Sequence, residues 1–330
     1  MTSIFLLGIT LSCSAAFIHG TGASFPFPLY TKWFAEFQKL NPEVKINYQA
    51  IGSGGGIRQL LAHTVDFGAS DAPMTEEQTL HADILHIPSM VGGVVLTYNL
   101  PGIPSGLKLT PDIMADLFLG NMKRWNDPRL HAINPELHLP DLPVTIIHRS
   151  NGSGTTLILT EYLAKISCAW KKGVGAGPAV KWPVGLGGKG NESVTSLIKQ
   201  SPGALGYIEL SYAVMNNLTY ASLANTENLF IAPTVASIHA AAKASEALMP
   251  DDLRLSLTNA PGKDSYPLSA FTYILIYRKM DGAKGQEMLH FFKWAITDGQ
   301  NFASKLHYSP LPESIAVKTM KALGRVSIVW

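Results

Sequence analysis

The sequence has few cysteines, little charge and no long hydrophobic run. Its 330 residues include two cysteines, and 15% of them are charged against 46% that are hydrophobic. This composition excludes an intrinsically disordered chain. The formal net charge is only +2, and no basic stretch carries interleaved aromatic residues, so we expect no nucleic-acid partner. No segment beyond the first eighteen residues is long and apolar enough to predict a transmembrane helix.

Recognisable catalytic and metal-binding motifs are also missing. Ile51 and Asn151 occupy the positions where a GxSxG nucleophile elbow needs its first glycine. The ten histidines are scattered, and His81 and His86 lack the helical spacing of metal ligands. HExxH, Walker A and CxxC patterns do not occur. We therefore predict no catalytic residues, no metal, no cofactor and no enzymatic activity.

One literal motif, the GxGxxG of residues 185–190, matches a dinucleotide-binding fingerprint. Such a fingerprint needs a buried strand immediately before its glycines. Lys181-Trp182-Pro183 precedes these glycines instead, and proline is unsuited to a central strand. The sequence therefore does not predict a nucleotide site here.

The first eighteen residues carry no charge and resemble the end of an export signal. A short apolar run, Ile4 to Leu11, is followed by small residues suited to signal-peptidase cleavage. The basic residue expected at the start of a signal is missing, and a buried N-terminal element is the alternative. Cys13 offers a lipid-anchoring site, but Thr10-Leu11-Ser12 is a poor match to the sequence that precedes a lipidated cysteine. The rest of the chain then has one cysteine, Cys168, which we expect to be buried and unreactive.

Helical and extended patterns alternate along the chain, which favours an α/β fold with parallel strands. The length favours two lobes. Residues 91–99 and 271–278 are the most strand-like apolar runs, and we expect them to cross between the lobes on either side of a ligand cleft. Trp33, Phe34 and Phe37 have helical spacing and predict a core-facing stripe.

Three turns rich in glycine and hydroxyl groups each lead into a helical pattern. They are Gly20-Thr21-Gly22-Ala23-Ser24-Phe25, Gly52-Ser53-Gly54-Gly55-Gly56 and Asn151-Gly152-Ser153-Gly154-Thr155-Thr156. Glycine lets the backbone approach a ligand, and the free N–H groups of a helix N-terminus favour anions. Three such turns predict a site that surrounds a small, multiply charged oxyanion.

Two charged residues beside these turns refine the prediction. Arg149 follows a predicted strand at residues 144–147, and its planar fork of donors suits two oxygens of one tetrahedral anion. Asp71 can only accept hydrogen bonds while it is ionised. Hydrogen phosphate has a proton to donate and sulfate has none, so an aspartate in the site favours phosphate. The alternatives are a surface arginine and an aspartate that caps its own turn.

Over nearly the whole chain, the sequence resembles the periplasmic phosphate-binding proteins of bacterial high-affinity phosphate ABC transporters. The resemblance rests on the three turns and on further segments: residues 64–73, Gly92-Gly93-Val94-Val95, residues 181–191, Pro202-Gly203-Ala204-Leu205-Gly206-Tyr207 and Phe291-Phe292-Lys293-Trp294-Ala295. It places the GxGxxG in a structural loop. Two departures are Ser24, where many relatives have threonine, and Asn151, where relatives often have an aspartate that pairs with the arginine. With a neutral Asn151, Arg149 should be less compensated and anion binding more sensitive to salt.

The resemblance implies a two-lobed, Venus-flytrap (type II) periplasmic-binding-protein fold that closes over one dehydrated phosphate. Residues 1–18 form the export signal, residues 19–91 and 266–330 lobe I, and residues 92–265 lobe II. The implied phosphate contacts are Ser24, Phe25, Ser53, Asp71, Arg149, Ser153, Gly154 and Thr155.

The function that follows is phosphate capture by an exported monomer and delivery to a membrane permease. One alternative is a secreted phosphate-ester hydrolase that uses the same anion site. The other is the same fold binding sulfate or molybdate.

Overall fold

The computed structural model describes residues 16–80 and 82–330, which form an α/β structure built on one long mixed sheet. The strands are β1 (Ala16–Gly22), β2 (Val44–Ala50), β3 (Phe67–Ser70), β4 (Ile84–Tyr98), β5 (Lys108–Leu109), β6 (Thr145–Arg149), β7 (Leu186–Gly188), β8 (Ala204–Glu209), β9 (Thr219–Tyr220), β10 (Ser222–Ala224), β11 (Phe230–Ile231), β12 (Ser269–Tyr277), β13 (Lys279–Asp281) and β14 (Ser327–Val329). The alternation predicted from the sequence is confirmed.

Helices follow most of the strands. They are α1 (Phe27–Leu40), α2 (Ser53–Leu61), α3 (Glu76–Thr79), α4 (Pro111–Leu119), α5 (Pro128–Ile133), α6 (Gly154–Ile166), α7 (Cys168–Gly173), α8 (Gly190–Gln200), α9 (Leu210–Met215), α10 (Val235–Ser245), α11 (Gly282–Ile296) and α12 (Glu313–Leu323). Short 3₁₀ turns cover Glu246–Leu248, Asp298–Phe302 and Ser304–Leu306. Within the described ranges, none of the helices has the length and apolar content needed to cross a membrane.

The main sheet has the strand order β2-β1-β3-β12-β4-β8-β6-β7, and β9 also pairs with β4. β4 pairs with β12 over residues 84–93 and with β8 over residues 94–98. We call β2, β1, β3, β12 and residues 84–93 of β4 the first sheet half. Residues 94–98 of β4 with β8, β6 and β7 form the second sheet half. A single 15-residue strand therefore belongs to both halves, as expected for residues 91–99. Residues 271–278, expected to cross as well, do not, because β12 pairs with β3 and with residues 84–93 of β4 inside the first half.

Helix α1 shows how sequence pattern becomes packing. Pro28 lies in the first turn of the helix, where a missing N–H costs no hydrogen bond. Trp33 and Phe37 are fully buried, and the Trp33 indole N–H donates to the Gly299 carbonyl at 2.7 Å. The predicted core stripe is confirmed, with Phe34 partly buried against the same core. Leu40 at the helix end is 67% exposed.

Two expectations differ from the structure. Cys168 is exposed rather than buried: it opens α7 behind the Ser167 cap, and the short helix turns Trp170 into the core instead. His148 and Arg149, expected in a loop, are still part of β6, because they continue the parallel pairing with Gly187 and Gly188 of β7.

The N-terminal boundary also bears on the predicted export signal. Residues 1–15, including Cys13, lie outside the described residues, so the signal and the lipid-anchor alternative stay predictions. Ala16, Phe17 and Ile18 pair with Val44 to Ile46 of β2, and Ile18 is fully buried. Residues 16–18, which the sequence prediction placed in the export signal, are thus part of β1 in the structure.

Candidate anion site

The three glycine turns lie at the carboxyl ends of parallel strands, which is the edge where open α/β sheets bind ligands. Strands β2, β1 and β3 run parallel, and Ser24, Ser53 and Asp71 follow β1, β2 and β3 respectively. Arg149 ends β6 in the second sheet half, and Ser153 caps α6 directly after it. The sheet therefore directs residues from four distant stretches of sequence towards one edge.

Backbone approaches across this edge are too close for side chains. A Cβ on Gly154 would lie 2.5 Å from Cβ of Asp71 and 2.8 Å from the backbone nitrogen of Ala72. The backbone N–H of Gly154 donates to Ser53 Oγ at 3.0 Å, and Gly54 N–H donates to the Gly152 carbonyl at 3.3 Å. The turns of the first sheet half are thus in direct contact with the N-terminus of α6, and the cleft between the halves is closed.

Arg149 provides the positive charge of the site and is almost completely buried, with 4% of its surface exposed. Its Nε donates to Asn151 Oδ1 at 3.0 Å and its Nη1 to Thr155 Oγ1 at 3.4 Å. Nη2 is buried and has no acceptor among the described residues. A buried guanidinium with an unused donor is costly, and burial lowers the pKa of Arg149. The arrangement suits an anion that accepts from Nη2.

Asp71 is the acidic partner on the opposite side of the site and is equally buried. Its Oδ1 accepts from Thr272 Oγ1 at 2.9 Å, and its Oδ2 lies 3.5 Å from Ser53 Oγ. Burial raises the pKa of Asp71 to about 7, and the Thr272 hydrogen bond and the Arg149 charge oppose that rise. The carboxyl group can therefore change between acceptor and donor near neutral pH.

Ser53 lies where the turns of the first sheet half meet the N-terminus of α6. Its hydroxyl oxygen accepts from the backbone N–H groups of Gly154 at 3.0 Å and Asp71 at 3.3 Å. Ser153 is the N-cap of α6, and its Oγ accepts from Thr156 N–H at 3.2 Å. Ser53, Ser153 and Thr155 are all buried. They surround the α6 N-terminus with hydroxyl groups, which donate to anions without adding charge.

Ser24 and Phe25 form the remaining side of the site. The Ser24 hydroxyl oxygen accepts from both the backbone N–H and the side-chain Nδ2 of Asn191, at 3.1 and 3.0 Å. The Phe25 carbonyl accepts from Tyr308 at 2.6 Å, and the Phe25 side chain is fully buried. All eight residues predicted from the sequence are therefore buried around the strand ends where the two sheet halves meet.

Three residues that support this arrangement were not singled out from the sequence. Thr272 orients Asp71, Asn191 holds Ser24, and Tyr207 accepts from the Arg149 backbone N–H at 3.0 Å. Only Asn191 had a usable signal. Gly190-Asn191 opens α8 directly after β7, so the GxGxxG stretch ends in a fourth glycine turn before a helix. Thr272 lies in a β-strand and Tyr207 in another, without any local motif.

His86, which lacked the spacing of a metal ligand in the sequence, is a core histidine in the structure. It is buried, and its Nε2 accepts from Met74 N–H at 3.0 Å. Burial lowers the pKa of His86 to about 4, so the ring is a neutral acceptor at physiological pH. In the part of the chain that the structure describes, no three His, Cys, Asp or Glu residues are grouped as metal ligands would be.

Comparison with known proteins agrees with this fold. The model of the PBP superfamily domain matches residues 10–298. The phosphate-binding protein PstS of Haemophilus influenzae is 44% identical over 98% of this chain and 97% of its own length. PstS of Xylella fastidiosa is also 44% identical, over 92% of this chain and 84% of its own.

A solved structure shares the fold at much lower sequence identity. It is described as a high-affinity periplasmic phosphate-binding protein (PfluDING) bound with phosphate, and it aligns with a TM-score of 0.73 at 17% identity, covering 92% of this chain and 93% of its own. At that identity the likeness concerns the fold alone.

The fold and the closed, anion-suited cleft define a two-lobed binding protein. The chain belongs to the PBP superfamily and, within it, to the phosphate-binding protein (PstS) family.

Proposed function

We propose that this protein binds inorganic phosphate outside the cytoplasmic membrane and delivers it to the permease of an ABC transporter. The phosphate would be held by Ser24, the Phe25 N–H, Ser53, Asp71, Arg149, Ser153, Gly154 and Thr155. The observation that carries the proposal is the buried Nη2 of Arg149, which has no acceptor among the described residues. The Arg149 guanidinium also lies close enough to Asp71 for their charges to interact.

The energetics are compatible with tight binding. Micromolar affinity corresponds to about 8 kcal/mol. Hydrogen bonds to a charged group contribute roughly 1.5 to 3 kcal/mol each before ordering costs. Arg149 and the hydroxyl groups around the α6 N-terminus provide several such bonds, and the helix end adds its own preference for anions.

Selectivity is proposed to come from Asp71. Its Oδ1 is already occupied by Thr272, whereas Oδ2 has only a long contact with Ser53. Hydrogen phosphate can donate its proton to Oδ2, but sulfate would place an unpaired oxygen against it. The repulsion and the lost hydrogen bond are worth upward of about 1 to 3 kcal/mol, or about tenfold to hundredfold discrimination.

The test is calorimetric titration of the protein, stripped of bound anion, with phosphate and then with sulfate at one pH and ionic strength. One-to-one phosphate binding with little or no sulfate heat is the expected result. Equal binding of both anions would reject the selectivity mechanism, and no heat from either would reject the function.

We infer that the protein is a binder and not an enzyme. Its PstS relatives are binding proteins by name. The Ser153 hydroxyl accepts from the Thr156 backbone, and the nearby His148 ring stacks on Trp182 at 5.0 Å rather than serving as its base. The competing function, hydrolysis of a phosphate ester, is tested with a chromogenic ester: release of the chromophore above background would overturn the inference.

Export and lobe boundaries are part of the same proposal. Delivery to a permease requires an exported protein, and the apolar N-terminal segment of the sequence supports that requirement. For the lobes we propose residues 19–91 with 266–330, and 92–265. The change of partner strand along β4 between Gly93 and Val94 supports a first crossing close to residue 92.

A further inference from the structure

Asn151 makes hydrogen bonds on both sides of the closed cleft. It lies just after β6 of the second sheet half and is partly buried. Its Nδ2 donates across the cleft to the carbonyl of Ile51, which follows β2 of the first sheet half, at 3.0 Å. Its Oδ1 stays within the second half, where it accepts from Arg149 Nε at 3.0 Å and from Gly190 N–H at 3.3 Å.

The orientation of this amide is determined by its neighbours. Two N–H donors converge on one end of the side chain and a carbonyl oxygen faces the other. The reversed amide would oppose donor to donor and acceptor to acceptor, so only one orientation satisfies all three partners. An ionised carboxylate of the same shape could not replace the amide, because it has no donor.

The turn on the opposite side is shaped to receive the amide. Gly52 has φ of +94°, a backbone conformation that favours glycine. A Cβ at Gly52 would lie 2.2 Å from Asn151 Nδ2 and 2.6 Å from the Gly152 carbonyl oxygen. The close approach of the two turns therefore depends on Gly52 as well as on Asn151.

We propose that Asn151 is a latch that holds the cleft closed and slows the release of the bound anion, while its other end positions Arg149. This inference rests on the proposed phosphate binding. The latch bond joins the two sheet halves and is lost when they separate, so its contribution belongs to the closed state alone. It therefore acts on the dissociation rate constant more than on the association rate constant.

The experiment compares the Asn151→Asp variant with wild type by stopped-flow fluorescence of phosphate binding and release. Aspartate has the same shape and keeps an acceptor for Arg149 and Gly190. It replaces the donor with an oxygen facing the Ile51 carbonyl. We expect the dissociation rate constant to rise about tenfold, with the association rate constant changed less than threefold.

A purely electrostatic role gives a different result. If Asn151→Asp acted only through its added charge, the association rate constant and its dependence on salt would fall, and the uncharged Gly52→Ala variant would release phosphate no faster than wild type. That result would overturn the latch. It would support instead the expectation that a neutral Asn151 makes binding more sensitive to salt.

Asn225→Asp is the matched control. Asn225 is buried, its Nδ2 donates to the carbonyls of Gly262 and Lys263, and its Oδ1 accepts from Glu227 and Leu229 N–H. The same donor is lost there, but away from the turns that meet across the cleft. We expect lower stability and an unchanged dissociation rate constant, and an equal acceleration in both variants would overturn the proposal.

Gly52→Ala tests the latch from the opposite turn without adding a charge, because its Cβ would push against Asn151 Nδ2. It should also accelerate release, provided that circular dichroism shows a folded protein. Binding of phosphate by wild type separately decides the proposed function. Should wild type bind none, solution scattering decides the latch: a larger radius of gyration for Asn151→Asp than for wild type supports it, and equal values overturn it.

Discussion

The two sheet halves bring opposite chemistry to the same site. The first half contributes a carboxyl group, Asp71, with the hydroxyls of Ser24 and Ser53 on turns after β1 and β2. The second half contributes a guanidinium, Arg149, and the N-terminus of α6. Both charged groups are almost fully buried at the place where the two halves meet. The comparison shows that neither half is a complete anion site, and that closure itself creates the low-exposure environment in which the contacts become strong.

Asp71 in the first half and Glu209 in the second are both buried carboxyl groups, but they differ in their hydrogen bonds and in their pKa. Asp71 has a hydrogen-bond partner at each oxygen, whereas Glu209 at the end of β8 has one oxygen, Oε1, without a partner among the described residues. Burial raises the pKa of Glu209 to about 8. Glu209 is thus protonated at neutral pH, while Asp71 lies near its midpoint. Of these two carboxyl groups, Asp71 is the one that lies among the proposed anion contacts and titrates near neutral pH.

Removing the cation of the second half should have the largest effect. Arg149→Ala deletes the charge and the free Nη2 donor, and we expect phosphate affinity to fall at least about 100-fold. Arg149→Lys is the control. It keeps the charge but loses the planar guanidinium donors, so we expect a loss of phosphate affinity between those of wild type and Arg149→Ala. Calorimetric titration measures both. An unchanged affinity in Arg149→Ala would show that the anion binds elsewhere.

Removing the acidic group of the first half should change the selectivity between phosphate and sulfate as well as the affinity for phosphate. In Asp71→Asn, we expect phosphate binding to weaken about tenfold to hundredfold, because the acceptor for its proton is lost. Sulfate binding should stay the same or improve, since the repulsive oxygen is replaced by a donor. Parallel titrations with both anions give the ratio of the phosphate and sulfate dissociation constants. A ratio equal to that of wild type would contradict the proposed role of Asp71.

Sulfate binding should depend on pH through Asp71. The pKa of about 7 means that the buried carboxyl gains a proton as pH falls below 7 and then donates instead of repelling. Sulfate itself does not titrate in this range, so its affinity for wild type should rise as pH falls from 8 to 6, by up to about tenfold per unit. Asp71→Asn should show a flat profile, and a flat wild-type profile would contradict the mechanism.

The smallest effect on binding is expected at Glu209. A raised pKa means that the folded state binds more protons than the unfolded state between about pH 4.5 and 8, so the free energy of unfolding falls as pH rises through this window. Glu209→Gln should remove the contribution of this carboxyl group to that slope, which is about 1.4 kcal/mol per pH unit. Denaturant unfolding of the anion-free protein at several pH values measures it. Phosphate affinity at pH 7 should change less than threefold, because glutamine mimics the protonated acid.

Much of the fold and site could be predicted from local patterns. The aromatic spacing of Trp33, Phe34 and Phe37 indicated a buried helix, and the glycine turns indicated the helices that the structure begins at Ser53 and Gly154. Arg149 and Asp71 were recognisable because each adjoins such a turn. Thr272 and Tyr207 were not, since they lie in strands β12 and β8 and reach the site only through strand pairing between distant segments. Cys168 was misplaced because burial of a short helix depends on which face meets the core.

The sequence by itself determined the kinds of groups available: glycine turns that expose backbone N–H groups, one arginine that cannot lose its charge, and one aspartate that distinguishes a protonated anion from an unprotonated one. Only the tertiary structure decided their burial and mutual contacts. The pKa of Asp71, the unused donor of Arg149 and the bond from Asn151 to Ile51 all depend on two sheet halves meeting across a cleft. Desolvation and cross-cleft hydrogen bonds are properties of that meeting, and no local stretch of sequence encodes them.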